Sequence, residues 1–256
     1  MPEPPLAAQA GGKPRVVVTR RAEQAAELGE KLSAVGLEPL FLPTIALEAL
    51  PAPDLDRALA EIERFEWLIF SSANAVRFFF RRVEALNLSL KLPRTAVVGP
   101  ATARALRAQQ IEPDFMPESF TGEALAQGLG ELAGQCILLP RARIGGAKIV
   151  QTLLEQGAVV TDIALYDTVT AVPEAAALAA LALGYEAISF TSPSSVHGFL
   201  AIHGGNPLEE AVVACIGPVT AEAAEESGLR VTLVPDEYTL DGLVQIISSY
   251  FGEKRK

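Results

Sequence analysis

Phrases in this sequence come in pairs. Ile69-Phe70-Ser71-Ser72-Ala73-Asn74-Ala75-Val76 returns as Ser189-Phe190-Thr191-Ser192-Pro193-Ser194-Ser195-Val196. Val98-Gly99-Pro100-Ala101-Thr102-Ala103 returns as Ile216-Gly217-Pro218-Val219-Thr220-Ala221, and Pro117-Glu118-Ser119-Phe120-Thr121 as Pro235-Asp236-Glu237-Tyr238-Thr239. A spacing of roughly 120 residues is too long for a solenoid repeat and suits a duplicated α/β domain. Small hydroxyl residues and Gly-Pro recur where an apolar run ends. Such residues serve where a strand hands over to a helix and backbone N–H groups can face a ligand.

Composition narrows the field. A chain of 256 residues can be one large domain or two with modest cores. A net charge of −10 argues against a nucleic-acid surface. It permits an anionic small molecule, because local dipoles and not the summed charge decide binding at a site. Cys136 and Cys215 each lie in an apolar run and read as buried free thiols in a reducing compartment. Residues 1–13, rich in Pro, Ala and Gly, read as a disordered tail without the pattern of a secretory signal. No apolar run approaches the roughly 20 residues of a membrane span. The expectation is a soluble, cytoplasmic protein.

Apolar strands alternate with amphipathic helices along the chain. Strands are expected at 15–19, 39–43, 67–70, 96–98, 114–116, 136–139, 187–190, 212–216 and 232–234. Leu28, Leu32 and Val35 define one helix face, and Asp54 reads as the cap of a helix over 54–64. The 44–50 segment alternates and looks like a partner for the second part of the long run 159–169. Strands this apolar argue parallel sheets covered on both faces, with right-handed crossovers. Ligands on such sheets sit beyond the carboxyl ends of the strands, where every repeated turn falls.

Each motif has two readings. Ser71, Ser72, Asn74, Ser192 and Ser194 can be ordinary helix N-caps, or part of a nest of donors for a carboxylate or phosphate. Gly-Pro with Thr102 or Thr220 is a helix start that also allows close backbone approach. Tyr166 can simply pack with its hydroxyl wet, or donate a hydrogen bond to a leaving group. Arg20, Arg21, Arg141, Arg143 and Lys148 follow strands as solvated charges or carboxylate forks. His197 and His203 read as surface residues. No zinc spacing, Walker loop, Gly-x-Gly-x-x-Gly or serine-nucleophile elbow is present, so neither metal nor cofactor is expected.

The ordered set of phrases resembles the uroporphyrinogen-III synthase family over nearly the whole chain. It comprises Val18-Thr19-Arg20, the Phe70–Val76 and Val98–Ala103 phrases, Leu139-Pro140-Arg141, Tyr166-Asp167-Thr168, and the Phe190–Val196 and Ile216–Ala221 phrases. The resemblance implies two similar α/β domains with parallel sheets flanked by helices, joined by a two-stranded linker, with a cleft between them as the active site. Residues 14–43 plus 171–256 would form one discontinuous domain, 44–51 and 163–170 the linker strands, and 52–162 the inserted domain. Spacing alone would instead cut the chain near Gly134.

The family's reaction takes hydroxymethylbilane, a linear tetrapyrrole with eight carboxylates. It removes the terminal hydroxyl as water, inverts the last pyrrole through a spiro intermediate and closes uroporphyrinogen III. Tyr166 matches the family's candidate proton donor. Thr19, Arg20, Ser71, Ser72, Asn74, Thr102, Arg141, Lys148, Ser192, Ser194 and Thr220 would bind substrate. Where members carry an arginine opening the helix after Leu-Pro-Arg, Gly146 stands here, with Lys148 or Arg143 as the substitutes. A monomer, with possible hand-over of substrate from hydroxymethylbilane synthase and no nucleic-acid or membrane partner, completes the expectation. The alternatives are a non-catalytic two-lobed protein that binds an anionic small molecule, and a phosphoribosyl- or sugar-handling α/β enzyme.

Overall fold

A computed structural model describes residues 12–204 and 211–253; most of the expected tail, residues 1–11, lies outside the described residues. The chain divides into two compact units, Met1–Ala46 with Val169–Lys256 and Leu47–Thr168.

In the first unit, β1 (Arg15–Val18) leads through α1 (Ala22–Ala34) to β2 (Glu38–Phe41). After the other unit's residues come α7 (Ala175–Ala182), β8 (Ala187–Phe190), α8 (Pro193–His203), β9 (Val212–Cys215), α9 (Pro218–Glu226) and α10 (Leu240–Glu253). The sheet order is β2-β1-β8-β9, all parallel. Period-two alternation sends Val16 and Val18 into a core with Leu28, Leu32 and Ile247. It sends Val17 to the opposite face, against Phe190, Phe199 and Ala224. Both faces of the central strands are therefore dry, while the edge strand β2 is only half-buried.

The second unit holds most of β3 (Ile45–Ala49), then α2 (Pro53–Ala60), β4 (Trp67–Phe70), α3 (Ala73–Ala85), β5 (Arg94–Val97) and α4 (Pro100–Arg107). It continues with α5 (Gly122–Gly128), β6 (Cys136–Ala142), α6 (Ala147–Glu155) and most of β7 (Val159–Thr170). The order is β3-β7-β6-β4-β5, and β7-β6-β4-β5 are parallel. Leu68 and Phe70 pack toward α3 and α4, Trp67 and Ile69 toward α5 and α6. Bonds from Leu50 N–H to Leu165 C=O and from Ala171 N–H to Thr44 C=O run in opposite order, so β3 lies antiparallel to β7.

The two sheets share one order: β2-β1-β8-β9 matches β7-β6-β4-β5 strand for strand. Small backbone details repeat with it. Ala96 bridges Phe115, and Ala214 bridges Leu233, each as a single residue pair where a full strand is expected at 114–116 and 232–234. The preceding strand's carbonyl takes two N–H groups at each place, an irregularity that sets these contacts apart from a regular ladder.

Other local expectations need correction. Pro53 opens α2 with Ala52 as the cap residue, so Asp54 lies inside the first turn, and the helix stops at Ala60. Val35 is exposed because it follows the end of α1 and leaves the buried face. Cys136, at the first position of β6, is only half-buried, whereas Cys215 is buried. His203 is half-buried and stacks on Phe199 at 5.1 Å, because it lies one helical turn after that buried ring.

One buried polar knot ties the first unit's edges together. Thr44 Oγ1 lies 3.1 Å from Thr19 C=O and 3.0 Å from Ser195 C=O, and Thr19 donates to Ser189 C=O at 2.7 Å. Gly198 in α8 packs directly on the Thr44 carbonyl, and a Cβ there would collide with that backbone oxygen. Alanine normally gains about 1 kcal/mol over glycine inside a helix. Gly198→Ala is expected to do the reverse and cost about 1–3 kcal/mol, read as a lower urea midpoint at unchanged m-value.

Candidate active site

With both faces of each sheet covered, polar chemistry is confined to the strand ends. At the carboxyl end of β4, Ser72 caps α3 and accepts from Ala75 N–H at 3.1 Å. At the matching end of β8, Ser192 caps α8, where Ser195 N–H reaches Ser192 Oγ at 3.2 Å and Ser195 Oγ donates to Ser192 C=O at 2.7 Å. Gly99 and Gly217, after β5 and β9, stand at the starts of α4 and α9, followed by Pro100 and Pro218. Helix geometry leaves the first N–H groups of these helices without helical acceptors. Those of Ala73, Asn74 and Ala101 in one unit, and Ser194 and Val219 in the other, are of this kind. Each rim thus carries oriented donors and the positive end of helix dipoles.

Tyr166 is 4% exposed. Its ring stacks on Phe78 at 4.7 Å, and its hydroxyl lies 3.0 Å from Ser72 Oγ. The phenol therefore meets the rim through the serine that caps α3. Ser71 and Asn74 are half-buried beside it, and Asn74 Oδ1 accepts from Arg77 at 3.4 Å. Thr102 and Thr220 occupy the same place in the first turns of α4 and α9, both nearly buried. Ser194 is exposed at the start of α8.

Thr19 is not at a surface: it is fully buried, and its hydroxyl is spent on the strand-to-strand bond to Ser189. Arg141 is also committed. It grips Asp162 with both Nε and Nη2 at 2.6 Å and donates to the carbonyls of Ala142, Arg143 and Gly145 at 2.9, 3.3 and 2.7 Å. The turn after β6 is wrapped around this guanidinium. Gly146 ends the wrap at φ +75°, and a Cβ there would press on Arg141 Cδ at 3.2 Å, so a larger residue is disfavoured twice over. Of the proposed substitutes, Arg143 pairs with Asp167 at 3.4 Å, while exposed Lys148 is 3.5 Å from Glu123.

Sheet register shows that Arg20 is the counterpart of Arg141. Val18 aligns with Phe41 as Leu139 aligns with Asp162, and both arginines come two residues later. Phe41 thus replaces the carboxylate that holds Arg141. Arg20 is half-buried, its Nε has no hydrogen-bond partner, and it forms no ion pair among the described residues. Burial lowers its pKa from the guanidinium's ordinary value; Glu27 opposes this and Arg21 adds to it. Arginine nevertheless stays protonated in proteins. Arg20 thus keeps free the Nε donor that Arg141 spends on Asp162.

Burial pushes the Cys215 thiol up to about 12, with Glu225 adding to the shift, which removes it as a nucleophile. Among the described residues no group of His, Cys, Asp and Glu could hold a metal ion, and no helix is long and apolar enough to cross a membrane. Reading the sequence missed two features. Thr121 and Thr239 cap α5 and α10 by accepting from Ala124 and Gly242 N–H at 3.1 and 3.0 Å, and the exposed rings of Phe120 and Tyr238 precede them. The repeat of Pro117–Thr121 at Pro235–Thr239 was the available signal.

Comparison with known proteins adds a direct result. The family model described as "Uroporphyrinogen-III synthase HemD" matches residues 26–245. A relative named uroporphyrinogen-III synthase from Synechococcus elongatus is 34% identical over 252 residues, covering 92% of this chain and 94% of its own. One from Oryza sativa, named as chloroplastic, is 30% identical over 244 residues, covering 91% of this chain and 80% of its own. The crystal structure titled uroporphyrinogen-III synthetase from Helicobacter pylori shares the fold with a TM-score of 0.66 at 21% identity, covering 93% of this chain and 99% of its own. A mutant uroporphyrinogen III synthase from Thermus thermophilus gives 0.60 at 20%, with the same coverage.

The two arginines are expected to behave oppositely. Arg141→Leu strands Asp162 and unwraps the turn, for a loss of about 1.5–3 kcal/mol, whereas Arg20→Leu removes an unpaired, half-buried charge and leaves stability unchanged or raised. Chemical denaturation of both variants beside the parent checks the contrast.

Proposed function

The chain belongs to the uroporphyrinogen-III synthase family, and from that premise we propose how its residues act on hydroxymethylbilane to give uroporphyrinogen III. The match over residues 26–245 carries the assignment of activity. Loss of the terminal hydroxyl needs a proton, because hydroxide is a poor leaving group. Tyr166 supplies it by way of Ser72. Ser72 Oγ accepts from Ala75 N–H and can accept from Tyr166, 3.0 Å away, which leaves its own proton free to face outward. The departing hydroxyl takes that proton and leaves as water, and Tyr166 restores Ser72. The carbon that closes the ring releases a proton in turn, so the cycle needs no net acid.

Free hydroxymethylbilane closes without inversion, so the larger task is geometric. Holding the two chain ends in the right approach substitutes for a bimolecular encounter. Carboxylates of the substrate are assigned to the N–H and hydroxyl donors at Ser71, Ser72, Asn74 and Thr102 on one rim and at Ser192, Ser194 and Thr220 on the other. Arg20 is the fork for one carboxylate, with Lys148 a weaker, solvated contact. Thr19 and Arg141 support these positions from behind. The sequence boundaries of two domains, 14–43 with 171–256 and 52–162, are part of this reading. So are action as a monomer, direct supply from hydroxymethylbilane synthase and a cytoplasmic location.

Purified protein given enzymatically generated hydroxymethylbilane is expected to yield the type III isomer after oxidation and separation. Type I alone, at the spontaneous rate, would reject the activity. Tyr166→Phe should fold normally and lower kcat roughly 10- to 100-fold without abolishing turnover, and unchanged kcat would remove Tyr166 as donor.

A further inference from the structure

Among the described residues three aromatic side chains are exposed, Phe41, Phe120 and Tyr238, and the last two stand at matching places in the two units. A lone exposed ring needs no explanation. Two at one duplicated position, 56% and 62% exposed, do.

Their backbone surroundings repeat closely. Pro117 and Pro235 anchor each segment in the interior. Thr121 N–H reaches Ser119 C=O at 2.7 Å, and Thr239 N–H reaches Glu237 C=O at 2.7 Å, closing a tight turn with the aromatic residue at its centre. The following threonine then caps α5 or α10. Each side chain lies by its base on the glycine that opens α4 or α9. A Cβ on Gly99 would meet Phe120 at 3.3 Å, and one on Gly217 would meet Tyr238 at 3.2 Å. Each ring is thereby seated against the glycine that precedes the turn carrying Thr102 or Thr220, with most of its surface left to solvent. Covering a glycine needs only an apolar side chain, and a leucine would do it with less surface exposed. A flat ring in both copies answers a different demand.

We propose that Phe120 and Tyr238 are stacking contacts for pyrrole rings of the substrate, one on each rim. This inference rests on the reading that the substrate is a linear tetrapyrrole. The N–H and hydroxyl donors of each rim address carboxylates at the edges of that molecule and leave the flat faces of its pyrroles without a partner. An aromatic ring offers offset-stacked or edge-to-face contact to such a face. Because the rings are held on short, capped turns, little side-chain freedom is lost on binding. Carboxylate contacts alone leave each pyrrole able to rotate about its neighbouring methylene bridge. A stacked face fixes which carbon of the ring is presented for closure.

The test compares Phe120→Leu, Tyr238→Leu and the double variant with Phe120→Tyr and Tyr238→Phe, each followed by a thermal melt. Turnover of enzymatically generated hydroxymethylbilane and the ratio of type III to type I product are the readouts. Each leucine variant is expected to raise KM roughly 3- to 10-fold, and the double variant to lower the type III fraction, while the aromatic exchanges behave as the parent. Phe120→Met and Tyr238→Met, which also cover the glycine with a flexible apolar chain, give the same comparison should a leucine variant melt early. Parental KM and isomer ratio in the leucine or methionine variants would overturn the inference, leaving the rings as covers for Gly99 and Gly217. Type I product alone from the parent protein is the separate outcome that removes the synthase reading and this inference with it.

Discussion

A parallel strand buried on both faces can offer chemistry only at its ends, and the rest of this molecule follows from that restriction. Val17 cannot face solvent, because Phe190 and Phe199 cover it, and Val16 and Val18 are closed off by α1 and α10. The same holds for Trp67 to Phe70 between their two helical layers. Whatever binds must meet the turns that leave the carboxyl ends. There the helix starts expose N–H groups that no helical carbonyl satisfies. Serine caps, Gly-Pro starts and the threonines behind them are therefore both the means of beginning helices and the polar groups gathered at the carboxyl ends of the strands.

Duplication makes the departures between copies informative. Where the two units agree, as in the serine caps and the Gly-Pro-x-Thr starts, one structural requirement explains both. Where they differ, one copy has been released from it. Arg141 is spent on Asp162 and on three carbonyls, and holds a turn in shape. In the other unit Phe41 stands where that carboxylate would be, and Arg20 forms no ion pair among the described residues, with only the electrostatic pull of Glu27 to offset its burial. Leaving a half-buried cation unpaired costs stability. The structure tolerates that cost at one of two otherwise equivalent positions, and this contrast is the ground on which the proposal above gives Arg20 a carboxylate of the substrate.

Strand positions were legible because burial on both faces forces continuous apolar runs, and Trp67-Leu68-Ile69-Phe70 reads as a strand without any help. The serine caps were legible for a similar reason, since Ser before an apolar helix has few other uses. Side-chain commitments were not. Thr19 and Arg141 sit at strand ends like the other candidates, and only the register that brings Ser189 and Asp162 beside them shows that their polar groups are taken. Residues 114–116 and 232–234 read as strands, yet each closes a single bridge, because ladder length depends on the neighbour and not on the segment. The chain order of the two units was equally hidden. A repeat of this spacing suggests a cut near Gly134, but the strands at 15–18 and 38–41 complete a sheet with strands beyond residue 186. Connectivity of that kind leaves no trace in local periodicity.

An acidic protein that takes a polyanion presents an apparent contradiction, which the proposed use of the helix starts would resolve. With 31 acidic and 21 basic residues, the long-range field opposes the approach of a polycarboxylate. That field is screened beyond about 8 Å at physiological salt. Fixed N–H dipoles act at contact distance, where screening is weak, and they need no counter-carboxylate to hold them in place. They also grip less tightly than a ring of arginines would. Substrate and cyclised product carry the same carboxylates, so strong ion pairs would bind both alike, lowering KM without raising kcat and slowing product release. Interactions that discriminate must read the shape of the pyrrole chain and not its charge. In the reading proposed above, neutral donors joined by the Arg20 guanidinium and the rings of Phe120 and Tyr238 would have that balance.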